Sequence, residues 1–172
     1  DMVLSGMTIT PKRNLKVAFV GPYFISGKAF LTKVKTIALA KEADDVNTPN
    51  TKLVALRGST SQAFAEAVLD KTTIYTTGTY DEAVDMVLKD KVQAMIADYP
   101  ICVVSVFRYP EAGLLSVVTP LTYEPIGIAI PANDPLLMNW TTNTLNSIEA
   151  SGQLDELRLK WFARGSWLDK LK

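Results

Sequence analysis

The segment from Ser5 to Arg13 carries groups that could hold a small anion. Its Ser5-Gly6 pair follows an extended run, so a turn there exposes backbone groups, and Thr10-Pro11 is typical of a helix start. Arg13 stands one helical turn after that cap, where a guanidinium can bind a carboxylate through two parallel hydrogen bonds. A solvated arginine on a short helix is the alternative interpretation.

A second segment, residues 57–62, reads Arg-Gly-Ser-Thr-Ser-Gln and links a strand to a helix. The unpaired N–H groups at a helix N-terminus attract anions, and the hydroxyls add donors. The segment lacks the length and the lysine of a nucleotide-binding P-loop, which argues against a nucleotide phosphate. An ordinary serine or threonine cap is the alternative.

Asp98 follows directly on the apolar strand 93–97. Ligands of open α/β sheets bind outside the carboxyl ends of the strands, so an acid there is well placed for a cation. Capping of the helix that begins at Tyr99-Pro100 is the alternative. Taken together, the three segments offer a guanidinium and a helix N-terminus for a carboxylate, and a carboxylate for an ammonium. This is the set of groups that binds a free α-amino acid.

Composition narrows the possible functions. The chain has 172 residues, 48% of them hydrophobic and 21% charged, with zero net charge, which is typical of a globular protein and argues against nucleic-acid binding. Histidine is absent, so the commonest metal ligand and general base are missing, and we expect no metal, cofactor or catalytic site. The single cysteine, Cys102, lies in an apolar run and is predicted to be a small buried residue.

Alternating elements predict how these groups are positioned. Strands near 53–56, 73–76 and 93–97 alternate with helices near 61–69, 80–89 and 99–108, which indicates βαβ units and a mostly parallel sheet. A further helix is predicted over 36–45. The chain ends in helices near 135–150 and 153–163, the first capped by Asp134 and closed before Gly152. No apolar run approaches a membrane span, and no signal peptide is predicted at the start.

These motifs resemble one family. The run Ser5-Gly6-Met7-Thr8-Ile9-Thr10-Pro11-Lys12-Arg13 resembles the Ser-Gly-Met-(Ser/Thr)-Ile-Thr-x-x-Arg motif of type II periplasmic solute-binding proteins for polar amino acids. The similarity continues in order along nearly the whole chain, through Val17-Ala18-Phe19, Pro22-Tyr23, Gly58-Ser59-Thr60, residues 81–98, residues 120–129 and residues 152–162. The resemblance implies an extracytoplasmic, non-enzymatic protein that captures a free amino acid in an interlobe cleft for an ABC importer.

The resemblance also implies roles for individual residues. The Thr8 N–H and hydroxyl, the Arg13 guanidinium and the Thr60 N–H would hold the α-carboxylate. The Gly6 carbonyl, with Ser5 beside it, and the Asp98 carboxylate would hold the ammonium. Leu56 would pack on the ligand side chain, and Ser59 and Ser61 would line the cleft.

The implied fold is α/β and bilobal, of the type II periplasmic-binding-protein kind, with a complete second lobe and an incomplete first lobe. Residues 33–125 would form lobe 2. Residues 1–27 and 131–172 would form part of lobe 1, since family members carry further residues before the position of Asp1. Residues 28–33 and 124–130 would be the hinge strands.

Three further expectations follow. The partners would be a small-molecule amino acid and the membrane permease of an ABC transporter. The terminal helices carry eight apolar residues that would lack cover, so this face would associate with a second copy, a swapped element or a separate N-terminal piece; the eight are Leu136, Leu137, Trp140, Leu145, Ile148, Leu154, Leu157 and Trp161. A cyclohexadienyl-dehydratase-like enzyme and the ligand-sensing domain of a membrane kinase are the alternative functions.

Overall fold

The computed structural model describes residues 1–117 and 121–163, and it divides the chain into two compact units. Of the described residues, Asp1–Ser26 and 124–163 form the first unit, and 27–117 and 121–123 form the second. Residues 118–120 and 164–172, which the predicted lobes include, lie outside the described residues. The predicted α/β fold class is confirmed.

The first unit is built on a three-stranded antiparallel sheet in the order β1-β8-β2. Its strands are β1 (Val3–Thr8), β2 (Val17–Ser26) and β8 (Glu124–Pro131), and its helices are α1 (Pro11–Asn14), α6 (Pro135–Ala150) and α7 (Gln153–Arg158). Alternate residues of the sheet, among them Val20, Ile128 and Ile130, pack against Leu145 of α6 and Leu154 of α7.

The second unit contains a five-stranded sheet in the order β5-β4-β6-β3-β7. Strands β4 (Lys52–Leu56), β5 (Thr73–Thr77) and β6 (Ala94–Asp98) are parallel, whereas β3 (Lys28–Thr32) is antiparallel to both β6 and β7 (Leu115–Ser116). Helices α2 (Lys35–Ala38), α3 (Thr60–Val68), α4 (Tyr80–Leu88) and α5 (Tyr99–Arg108) connect these strands. The continuous apolar runs of β4 and β6 are buried, as expected for parallel strands covered on both faces.

Several helices are capped at their N-terminus by the side chain that precedes the first helical residue. The side chains of Thr10, Ser59 and Asp134 each accept a hydrogen bond from the backbone N–H three residues later, at 3.2, 3.1 and 2.8 Å. Gly152, after the end of α6, has a φ of 77°, a conformation that favours glycine at a helix terminus. The caps predicted from sequence at these helices are therefore present.

One predicted element is wrong. The helix expected over 36–45 ends at Ala38, and a separate 3₁₀ turn follows at Ala43–Val46. The cause is a capping box, in which Glu42 caps the backbone of Asp45 and the Asp45 carboxylate accepts from the backbone N–H of Glu42 at 3.1 Å. This pair of contacts starts a new turn instead of continuing the helix.

The chain passes between the units at Ser26–Gly27 and at Tyr123–Glu124. Residues 28–32 form β3, which pairs inside the sheet of the second unit, and residues 124–131 form β8, the central strand of the first unit. Their role as hinge strands stays a prediction. Among the described residues, no helix combines the length and apolar character that crossing a membrane needs.

Candidate functional site

In the first unit, the predicted ligand groups lie where β1 departs from regular pairing. The register of β1 against β8 shifts between Val3 and Met7, so Ser5 and Gly6 stand in an irregular, exposed stretch. Gly6 has a φ of 71°, which other residues rarely adopt. The Gly6 N–H donates to the Tyr23 hydroxyl at 3.4 Å, so we expect the Gly6 carbonyl, in this exposed stretch, to be the backbone group that a ligand could use.

Arg13 is oriented by its neighbours in the same unit. Thr10 caps the backbone N–H of Arg13, and the Arg13 Nη1 donates to the carbonyl oxygen of Thr8 at 2.8 Å. Arg13 is half-buried, whereas Thr8 is buried. One side of the guanidinium is thus used to fix its orientation, which leaves a rigid planar donor suited to a carboxylate.

In the second unit, the residues after β4 form the second group of predicted contacts. Leu56 ends the strand, Gly58 turns the chain with a φ of 73°, and Ser59 caps α3. Thr60 is the first residue of α3, and Ser61 is almost fully buried. The first backbone N–H groups of a helix this length carry the partial positive charge of the helix dipole, which attracts carboxylates.

Asp98 lies at the carboxyl end of β6 and does not cap α5, so the capping alternative for its side chain is wrong. Instead, its Oδ1 lies 2.6 Å from the ammonium of Lys28. The same ammonium donates to the Thr60 hydroxyl at 2.6 Å. Lys28 is completely buried, while the Asp98 side chain keeps 18% of its surface exposed.

Sequence reasoning missed Lys28. Lys28 pairs directly with Asp98 across the antiparallel β3 and β6, so β3 begins at the edge where the parallel strands β4 and β6 end. The sequence carries no signal for it, because a lysine is ordinarily exposed and only the pairing of β3 with β6 shows that this one is buried. The structure thus brings Thr60, Asp98 and Lys28 together in the second unit.

The charge of Asp98 influences two further groups of its own unit. Burial, followed by the negative charge of Asp98, raises the pKa of Tyr80 to about 12. The same two causes raise the pKa of Cys102, which is fully buried and donates to the Ala29 carbonyl oxygen at 3.6 Å. Cys102 is therefore the small buried residue that its sequence context predicts. Its thiol is protonated and inaccessible, which makes it a poor nucleophile.

Within residues 1–117 and 121–163, no three His, Cys, Asp or Glu residues are grouped so that they could hold a metal ion. The groups assembled are a guanidinium that can donate to a carboxylate in the first unit, and a helix N-terminus with a partly exposed carboxylate in the second.

Comparisons with known proteins show which family the chain is similar to. The family profile described as bacterial extracellular solute-binding proteins, family 3, matches residues 1–164. The glutamine-binding protein of an ABC transporter from Bacillus subtilis (strain 168) is 26% identical over 161 residues, which are 94% of this chain and 57% of that protein. Arginine-binding protein 1 of an Escherichia coli (strain K12) ABC transporter is 23% identical over 94% of this chain and 66% of its own length.

Solved structures extend the likeness. A proposed binding component of an ABC transporter from Wolinella succinogenes, complexed with lysine, has a TM-score of 0.90 and 36% identity over 98% of this chain and 72% of its own. An ancestral amino acid-binding protein, described as a precursor of cyclohexadienyl dehydratase, has a TM-score of 0.81 and 36% identity over 94% of this chain and 68% of its own. The chain thus spans between about half and three quarters of the length of these relatives.

Proposed function

Because the chain belongs to the bacterial extracellular solute-binding proteins of family 3, we propose that it captures a free amino acid for an ABC importer. The observation that carries the proposal is the fixed orientation of Arg13 by the Thr8 carbonyl, beside the bulge at Ser5 and Gly6. The relatives named for glutamine, arginine and lysine binding support the same class of ligand.

The α-carboxylate of the ligand is assigned to the Arg13 guanidinium, the Thr8 N–H and hydroxyl, and the Thr60 N–H. Its α-ammonium is assigned to the Gly6 carbonyl and to Asp98, with Ser5 nearby. Leu56, Ser59 and Ser61 complete the proposed contacts. Each charge-assisted hydrogen bond contributes roughly 1.5–3 kcal/mol, so a few of them support micromolar or tighter binding.

Titration calorimetry of the protein in its full natural length against the twenty amino acids tests this proposal. We expect at least one amino acid to bind, and Arg13→Ala and Asp98→Ala to weaken that binding strongly. Lys12→Ala is the matched control, because Lys12 is an exposed cation next to Arg13 and is assigned no contact. Failure of every amino acid to bind, or unchanged affinity in Arg13→Ala and Asp98→Ala, would overturn the proposal.

A cyclohexadienyl-dehydratase-like activity is the second candidate, favoured by the likeness to the ancestral precursor of that enzyme. Turnover of prephenate or arogenate by the full-length protein would support it. The relatives named for a ligand are binding proteins, which makes amino-acid capture the better supported function. A sensing domain of a membrane kinase would use the same residues, so calorimetry combined with transport assays distinguishes it from an importer component.

The family supports a proposed location and a proposed transporter partner. The family is extracellular, so we place the protein in the periplasm or another extracytoplasmic compartment, delivering its ligand to a membrane permease. Cell fractionation with antibody detection tests the location. Co-purification with the permease tests the partner.

The first unit has an apolar surface to which we also assign a partner. Of the eight residues predicted to lack cover, Leu145 and Leu154 are buried in the unit, and Leu137 and Ile148 pack against its core. Leu136, Trp140, Leu157 and Trp161 remain exposed, and an apolar groove of about 270 Å³ lies beside the last two. We expect the 172-residue chain to associate through this surface, and a monodisperse monomer in light scattering would overturn that expectation.

A further inference from the structure

The strongest feature that the proposed function leaves unused is the buried ammonium of Lys28. Every residue of β3 is buried, and the Lys28 side chain is completely inaccessible. Burial of a charged group is costly, and apolar residues of similar volume are often at least as stabilising as a buried ion pair. Stability alone is therefore a weak reason for a lysine at this position.

The contacts of Lys28 indicate another reason. Its ammonium lies 2.6 Å from Asp98 Oδ1 and 2.6 Å from the Thr60 hydroxyl oxygen. Asp98 is the last residue of β6 and Thr60 is the first residue of α3, and both are proposed ligand contacts. The buried Lys28 ammonium thus links two proposed ligand contacts. One is Asp98, which is assigned to the ligand ammonium, and the other is Thr60, which begins the helix assigned to the ligand carboxylate.

We propose that Lys28 is a positioning residue, which orients Asp98 so that the exposed part of its carboxylate accepts the α-ammonium of the ligand. Lys28 has no exposed surface and so acts through Asp98, whose side chain is 18% exposed. A second bond to Thr60 holds the ammonium in place, so that its bond to Oδ1 restrains the Asp98 side chain. This inference rests on the proposed function and assigns the preference for an α-amino group to a residue outside the binding surface.

The test measures how strongly the full-length protein prefers an amino acid to the analogue that lacks its α-amino group. L-Lysine is paired with ε-aminocaproic acid, L-arginine with δ-guanidinovaleric acid and L-glutamine with glutaramic acid. The affinity for each probe is measured by calorimetry. We expect Lys28→Met to reduce this preference about tenfold, the loss of roughly one charge-assisted hydrogen bond, while the affinity for the analogue changes less than about twofold.

Two variants separate positioning from a structural role. Lys33→Met removes a lysine whose ammonium lies 2.6 Å from Asp90 Oδ1, near the opposite end of β3, and should leave the preference unchanged. Thr60→Val keeps the backbone N–H but removes the hydroxyl that accepts from Lys28, and should lower the preference about threefold. Because Thr60 lies at the first turn of α3 and Ser59 supplies the cap, Thr60→Val should fold even if Lys28→Met does not.

A double-mutant cycle completes the test. Asp98→Asn should abolish most of the preference, and adding Lys28→Met to Asp98→Asn should cause no further loss, since the two residues act as one unit. The double variant also removes the unpaired charge that destabilises Lys28→Met. An additive further loss in the double variant, or an unchanged preference in both Lys28→Met and Thr60→Val, would overturn the inference but leave the proposed function intact. Wild-type protein that binds no free amino acid would overturn both.

Discussion

Arg13 shows how one side chain can be made ready for a carboxylate by its own neighbours. Its backbone N–H is capped by Thr10 and its Nη1 donates to the Thr8 carbonyl at 2.8 Å. A side chain that is already ordered loses less conformational entropy when it binds a ligand. In the proposed function, the short helix α1 therefore contributes to ligand binding through the orientation that it gives to Arg13.

Replacement of Arg13 by lysine tests the importance of the guanidinium shape. Lysine keeps the positive charge but loses the planar pair of donors and the bond to Thr8, so we expect amino-acid affinity to fall about tenfold, measured by calorimetry on the full-length protein. Lys12→Arg, an exposed neighbour, is the matched control. Full affinity in Arg13→Lys would mean that charge alone is sufficient.

At the scale of single residues, the helix caps could be predicted from the sequence, because each contacts a residue close to it in the chain. Lys28 could not be predicted, because its partner is far away in the chain. Thr10, Ser59 and Asp134 cap their helices because each reaches a backbone N–H three residues ahead. The partner of Asp98 is 70 residues away, on a strand whose burial depends on β6 and β7. A lysine between Gly27 and Ala29 indicates an exposed position until that pairing is known.

At the scale of elements, α3 combines structural and proposed ligand-binding roles at its first turn. The Ser59 hydroxyl accepts from the Gln62 N–H at 3.1 Å, which satisfies one of the N–H groups that a helix start leaves unpaired. Helix α4 of the same unit starts in the same way, where Thr79 accepts from the Glu82 N–H at 3.2 Å. The proposed ligand contacts lie at α3 and not at α4, so the two starts form a natural comparison.

Alanine at each cap separates stability from binding. Ser59→Ala and Thr79→Ala should each reduce the free energy of unfolding by about 1 kcal/mol, measured by urea denaturation. Only Ser59→Ala should also weaken amino-acid binding, by about threefold or more, because it loosens the helix start that is assigned the ligand carboxylate. Equal binding by the two variants would argue against a ligand role for Ser59.

The βαβ elements were predictable because the hydrophobic periodicity of these strands and helices agrees with the turn-forming residues between them. The predicted strands near 53–56, 73–76 and 93–97 coincide with β4, β5 and β6, and the helices between them with α3 and α4. The order of the strands was not predictable, since β3 enters the sheet beside β6 and antiparallel to it. This insertion is what brings Lys28 to the edge where the parallel strands end.

At the scale of the whole molecule, the two units have separate cores of unequal size. In the described residues of the first unit, the connected core cluster consists of Val20, Ile128, Ile130, Leu145 and Leu154, and Ile126 and Ala129 are buried as well. The second unit buries a much larger set of side chains from every strand and from its helices. Because hydrophobic stabilisation scales with the apolar area removed from water, we expect the units to differ in stability.

Urea unfolding of the 172-residue chain, followed with one probe for each unit, tests this expectation. Trp140 and Trp161 lie in the first unit, so fluorescence of a Trp167→Phe variant follows that unit, and alkylation of the buried Cys102 follows the second. We expect the fluorescence transition at a lower urea concentration than the onset of alkylation. Coincident transitions would mean that the units unfold as one cooperative structure.

The inaccessibility of Cys102 has a practical consequence. It is the only cysteine in the sequence, it has no exposed surface, and its raised pKa keeps the thiol protonated. A maleimide dye would therefore react selectively with a cysteine introduced at an exposed position such as Ala67 on α3, with the native background left untouched. The sequence is thus already suited to single-site labelling, and a dye placed in this way could report the proposed binding of an amino acid.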